Sequence, residues 1–164
     1  AKFATVLRFL QPMTDLLRVG FKLYAIRMSQ FNSAMSYNYH NAITGTYPDY
    51  AIDYTRALIS RGHLEGAADP QVHASGGASL ELGWDDNVGV GNAKETDQTL
   101  VVIYNPEKGE AVTVVKAATR LDFPQDISVP SHFVGDEVEV FLGFVSEDGK
   151  EISNSSYVGS VTVT

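Results

Sequence analysis

Enzymes and ligand-binding sites need particular side chains at particular spacings, and this 164-residue sequence offers few of them. Gly89-Val90-Gly91-Asn92-Ala93-Lys94 has enough glycine to wrap a phosphate. However, Lys94 stands between Ala93 and Glu95, which breaks the P-loop pattern, and the third glycine of a dinucleotide fingerprint is missing. The stretch reads as a long loop between strands. Asp85, Asp86, Asn87 and Asp97 could offer oxygens to calcium, but neither EF-hand spacing nor a bidentate Glu in register accompanies them. Capping of turns is their simpler use.

His40, His63, His73 and His132 lie far apart, with no paired spacing of the kind that holds zinc. No Gly-x-Ser-x-Gly elbow marks a serine nucleophile, and the carboxylate pairs Asp85-Asp86 and Glu147-Asp148 fall in predicted turns. Asn154-Ser155-Ser156 matches a glycosylation sequon, a three-residue pattern that counts for little by itself. With no acid, base and nucleophile to assemble, the expectation is a protein that is not an enzyme, with no catalytic residue, metal or cofactor.

A net charge of −8 removes the uniform attraction on which nucleic-acid and anionic-membrane binding rest. The longest apolar run, Leu100-Val101-Val102-Ile103-Tyr104, is strand-sized, far below the roughly 20 residues of a membrane-crossing helix. Absence of cysteine excludes disulfides and thiolate chemistry without fixing a compartment. The start at Ala1-Lys2-Phe3, without an initiator Met, reads as a processed mature chain or a trimmed one, and processing fits export to the cell surface or beyond. Charge is uneven. Residues 1–66 sum to +3 and residues 67–164 to −11, an asymmetry that suits head-to-tail contact between copies as well as ordinary solvated faces.

The elements that must position these residues change character along the chain. Phe3, Val6, Leu7 and Leu10 share one helical face, Pro12 interrupts or restarts the helix, and Met13, Leu16 and Leu17 extend the stripe to a stop at Gly20. The spacing of Phe31, Met35 and Tyr39 predicts another helix from about Met28 to Ala42. After Pro48 the period becomes two: Tyr50, Ile52, Tyr54 and Leu58 suggest one long strand. A turn-rich stretch from Arg61 to Pro70 marks a boundary, placing a helical segment in 1–66 and a β domain in 67–164. Strands are expected around Leu80–Trp84, Thr99–Tyr104, Ala111–Lys116, Ile127–Val129, Val138–Val145 and Tyr157–Val163. Turns separate them and no helix intervenes, so the fold class is α+β: an N-terminal helical segment followed by an antiparallel β-sandwich.

Several segments carry a resemblance. Gly91 to Asp97, Val101 to Lys108, Phe144 to Tyr157, the Lys2-Phe3-Ala4 start and the Gly20-Phe21 junction are similar to a family of small uncharacterised proteins of Bacteroidota, catalogued as a domain of unknown function. The resemblance covers nearly the whole chain and implies no activity or site. Family members extend further upstream, often with a basic residue just before the Ala-Lys-Phe-like start, so it also implies that cleavage generates Ala1. The strand pattern with Trp84 in an early strand resembles fibronectin type III and immunoglobulin-like sandwiches, a likeness of fold alone.

Ten of the seventeen aromatic residues lie in the first 54 positions. Docking of the helices onto the sandwich is one use for them. The other is an interface, with Phe3, Phe9, Phe21, Tyr24, Phe31, Tyr37, Tyr39 and Tyr47 as its residues. The functional expectation is a structural subunit of an extracellular or cell-surface assembly, a homo-oligomer or self-polymerising filament held by strand or helix docking. The alternative is a carbohydrate-binding or adhesive module, with Trp84 or Tyr37, Tyr39 and Tyr47 as a stacking platform for glycan.

Overall fold

The computed structural model describes all 164 residues. Helices α1 (Lys2–Leu10) and α2 (Thr14–Gly20) are joined by a 3₁₀ turn, Gln11–Met13, where Pro12 needs no donor. Helix α3 (Gln30–Asn41) is capped by Ser29, whose hydroxyl accepts the Asn32 N–H at 3.0 Å. Its buried face is Ser33, Ala34, Met35 and Asn38, so the Phe31–Met35–Tyr39 stripe corrects to a neighbouring face, with Phe31 half-buried and Tyr39 exposed.

The expected long strand through Tyr50–Leu58 is instead a short hairpin, β1 (Ile43–Thr46) and β2 (Asp49–Ile52), paired from Ile43–Ile52 to Thr46–Asp49. Asp53 ends it: its carboxylate accepts the Thr55 backbone N–H at 3.2 Å and the Thr55 hydroxyl at 2.6 Å, turning the chain before the alternation can continue.

The β part forms two antiparallel sheets. One has the order β3 (Ala68–Ala74), β4 (Ser79–Asp85), β7 (Gln125–Ser128). The other has the order β6 (Glu110–Thr119), β5 (Gln98–Asn105), β8 (Glu137–Val145), β9 (Ser156–Thr162). Leu80, Leu82 and Trp84 of β4 meet Val101 and Ile103 of β5 and Val138, Val140, Leu142 and Phe144 of β8 in the core between the sheets. The other faces of β5 and β8, Leu100, Val102, Tyr104, Phe141 and Val145, are covered by Val6, Phe9, Leu10, Met13, Leu16, Leu17 and Phe21. Three layers result: helices, four-stranded sheet, three-stranded sheet. Because β5 is buried on both faces it reads as a continuous apolar run although its neighbours are antiparallel.

The turn-rich stretch near residue 61 is fastened to the sandwich. Ile59 donates its N–H to Ser155 Oγ at 2.9 Å, the Ser60 hydroxyl donates to the Ser153 carbonyl at 2.8 Å, and His63 and Leu64 bridge to Ser153. Gly62 lies so close to the Ile152 carbonyl that a β-carbon would overlap it, and Gly20 meets the Ile59 carbonyl in the same way. Gly62→Ala is therefore expected to destabilise the fold by about 1–3 kcal/mol in urea unfolding. Gly83→Ala, whose methyl would enter open space, is expected to stay within about 0.5 kcal/mol. Equal costs would refute the packing explanation.

Candidate functional site

The residues that invited a metal or phosphate reading surround an arginine that is wholly buried. Arg120 Nε and Nη2 donate to Asp97 Oδ2 at 3.0 and 2.8 Å, Nη1 donates to Asn87 Oδ1 at 3.1 Å and the Gly66 carbonyl at 3.0 Å, and Nη2 also reaches the Glu65 carbonyl at 2.8 Å. All the N–H groups of the guanidinium are used. Its carbon sits 4.1 Å from the Phe144 ring centroid, and the Arg120 carbonyl accepts the Trp84 indole N–H at 2.7 Å.

Of the four residues that could have offered oxygens to calcium, Asn87 and Asp97 bind a guanidinium, while Asp86 caps the Val88 N–H at 3.0 Å, in keeping with the turn-capping reading for that residue. No group of three or more His, Asp or Glu side chains is arranged to hold a metal. In the glycine-rich loop, Asn92 accepts the Glu65 N–H and donates to the His63 carbonyl, tying the loop to the end of the helical segment. Trp84, with its indole engaged and its side chain in the core, is no stacking platform.

A second polar cluster lies under the helices. Glu139, 4% exposed, accepts hydroxyls from Tyr157 at 2.6 Å and Ser160 at 2.7 Å. Burial pushes the hydroxyls of Tyr54, Tyr104 and Tyr157 above the usual tyrosine range, with Glu139 adding to the effect at Tyr54 and Tyr157. Raised values favour the neutral phenols of the folded state, so this stability is present below about pH 10 and is lost above it. Phe9, Tyr54, Tyr104, Phe141 and Tyr157 interlock by edge and tilted contacts, with Tyr54 and Tyr157 stacked, at 5.1–6.3 Å.

The aromatic residues expected at an interface divide. Phe9 and Phe21 are core residues, 1% and 0% exposed, because α1 and α2 turn them onto the sheet; they leave the interface set. Tyr24, Phe31 and Tyr37 are half-buried, whereas Phe3, Tyr39 and Tyr47 are exposed. Tyr37, Tyr39 and Tyr47 form no common platform: Tyr37 contacts Phe21, Tyr39 contacts His40, and Tyr47 contacts Tyr50 across the hairpin. Tyr24 and Tyr37 instead flank Arg61, whose guanidinium carbon is 4.1 and 4.8 Å from their ring centroids. These three residues line a cleft of about 420 Å³ along α3. Sequence reading missed Arg61. The available signal was the absence of any Asp or Glu from residues 16–48 in a chain with 20 acidic side chains.

Asp97→Ala would strand the Arg120 charge in the interior, at an expected cost of about 3–5 kcal/mol in urea unfolding, accompanied by a shift of Trp84 emission. Unchanged stability would show that the pair is dispensable. Acid stability rests elsewhere. The Thr119 N–H and hydroxyl hold Asp122 below the usual carboxylate range, the Lys108 ammonium and then Asn105 do so for Asp136, and the Lys150 N–H and then the Ser146 hydroxyl for Asp148. A depressed folded value contributes stability that is present above the unfolded value near ~3.9 and lost as pH falls through the folded one. Urea midpoints should hold to about pH 5 and fall below about pH 4, less steeply in Asp136→Asn.

No curated protein matches the chain at a significant level. Among solved structures it is similar to the fibronectin type III domain of human collagen alpha-1(XX) chain, with 12% identity and a TM-score of 0.41 over 60% of this chain and 85% of that one. No helix is long and apolar enough to cross a membrane. Residues 1–159 match the model of a family described as "Family of unknown function (DUF6266)", and the chain belongs to that family.

Proposed function

We propose that this protein is a non-enzymatic structural subunit of an extracellular or cell-surface assembly, in which copies join edge to edge through the four-stranded sheet. The carrying observation is that both edges of this sheet are long and nearly free of charge. Strand β6 has ten residues with charges only at Glu110 and Lys116, and β9 has seven with none. Monomeric proteins commonly guard such edges with inward charges, proline, bulges or a covering element; here each edge carries one bulge, at residues 116–118 of β6 and at Val158 of β9, and the rest of its length is regular.

Here β6 pairs only with β5, and β9 only with β8. Adding the β6 edge of one copy to the β9 edge of the next would extend one sheet through backbone hydrogen bonds. Such a contact is heterologous, so it generates a ring or an open filament rather than a closed dimer. Subunit contact through backbone requires no acid, base or metal, in keeping with polar clusters that are used internally. A chain without thiols is also indifferent to an oxidising exterior.

Sedimentation and electron microscopy of the wild type are expected to show association that grows with protein concentration. Val115→Lys on β6 and Thr162→Lys on β9 each place a charge on one exposed edge position and are expected to weaken association by about tenfold or more. Each variant keeps one intact edge. An equimolar mixture should therefore stop at heterodimers, an outcome that no symmetric interface produces. A wild type that stays monomeric across salt and concentration refutes the reading, as does wild-type-like polymerisation of both variants. Protease shaving of intact cells tests the surface location: release of the protein supports it, and full protection opposes it.

A further inference from the structure

We infer that the cleft between α3 and Arg61 is a binding site for a carboxylated sugar, with the Arg61 guanidinium as the seat of the carboxylate. It lies on the helical layer and is independent of the sheet edges invoked above. The side of α3 that lines the cleft carries Ser36, Tyr37, His40 and Asn41, with Ser33 buried at its floor, and these recur at the i, i+3, i+4, i+7, i+8 spacing of one helical stripe. Every side chain in that stripe carries a hydroxyl, an amide or an imidazole, the Asn41 amide donating to the Tyr37 carbonyl at 2.8 Å.

Arg61 is set opposite this stripe by a built support. Asn38, 0% exposed, donates to the Leu58 carbonyl and accepts the Leu58 N–H, both at 3.0 Å, fastening the following segment to α3. Arg61 N donates to the Gly20 carbonyl at 2.9 Å, closing the other side. Tyr24 and Tyr37 then hold the guanidinium by their ring faces.

Stacking positions the cation and leaves its N–H groups unused: the Arg61 side chain has no ion pair and no hydrogen bond within the protein. The contrast with Arg120, whose donors are all satisfied, is chemical. A half-buried guanidinium with idle donors suits an anion from outside, and the acid-free stretch 16–48 supplies no internal competitor.

The lining selects the class of anion. A planar fork matches a carboxylate in bidentate fashion. One cation balances one negative charge, whereas a phosphate monoester would call for more positive groups. The polar stripe matches sugar hydroxyls, and Met28 and the tyrosines offer apolar contact to ring C–H groups. At about 420 Å³ the cleft falls within the range of small-ligand sites. An acidic protein side chain would use the guanidinium and leave the stripe idle.

The test is an amide NMR titration of the full chain with glucuronate, N-acetylneuraminate, glucose and acetate, each to about 10 mM, where even millimolar affinity saturates. Either acidic sugar is expected to shift resonances of Ser36, Tyr37 and Arg61 saturably, with glucose and acetate much weaker. Arg61→Gln is expected to weaken the acidic sugar by about tenfold or more, with its remaining spectrum as a check on the fold. Ser36→Ala, which keeps the charge, is expected to reduce affinity for the sugar and leave that for acetate unchanged. The proposal is overturned if no acidic sugar shifts these residues or if Arg61→Gln binds like the wild type. Acetate matching the sugars would equally overturn it, showing a bare carboxylate site open to acidic peptides, as would glucose matching them.

Discussion

Burial of β5 and β8 on both faces is the constraint from which the architecture follows. A strand such as Thr99–Tyr104, apolar at every position but one, cannot leave either face to water, so the four-stranded sheet needs a cover on each side. The three-stranded sheet supplies one through Leu80, Leu82 and Trp84, and the first 66 residues supply the other through Phe9, Leu10, Leu16, Leu17 and Phe21. The helical segment is therefore a layer of the same fold: its buried residues share one core with Leu100, Val102 and Phe141 and form none of their own.

Where the layers meet at one corner, apolar packing gives way to charge. Arg120 gathers the end of the helical segment at Glu65 and Gly66, the loop at Asn87 and Asp97, and the β8 ring of Phe144. Removing a guanidinium from water is costly, and it is tolerated here because every donor has an acceptor and the charge has a carboxylate. A side chain satisfied in this way admits few alternative arrangements of its partners. One corner thus fixes the loop between β4 and β5, the exit of β6 and the entry to β3. Asn87 and Asp97, two of the residues that could have been ligands, are consumed in this closure.

Much of this was legible in the sequence because it depends on local period and turn chemistry. The alternation of Leu80, Leu82 and Trp84, the opposed faces of β8, the hairpin at Asn105–Glu110 and the break at Pro12 all follow from the chain alone. Most of what could not be read depends on contacts distant in sequence, with one local exception. Asp53 stops a strand by bonding Thr55, a local event that an apolar count overrides. The edge strand β3, with Asp69, Gln71 and His73 exposed, has too weak an apolar pattern to announce itself. Phe9 and Phe21 look like surface aromatics only while the sheet they cover is out of view. Arg120 and Asp97 stand 23 positions apart, and Arg61 meets Tyr24 and Tyr37 across a turn of the fold, so no motif records either meeting.

Arg120 and Arg61 show how one side chain takes opposite roles. Both lie over aromatic rings, at 4.1 Å from Phe144 and from Tyr24 respectively, so stacking does not distinguish them. Their acceptors do. Arg120 stands against the Asp97 carboxylate and the Asn87 amide of the acidic half and the Glu65 and Gly66 carbonyls at the end of the helical segment, which close around it and leave nothing for a partner. Arg61 stands beside a helix drawn from a stretch without a single carboxylate, and Asn38, which could have served it, is already committed to Leu58. The uneven placement of acid along the chain, +3 against −11, thus has a local structural consequence: Asp97 is at hand to close on Arg120, and the stretch beside Arg61 holds no carboxylate to close on it.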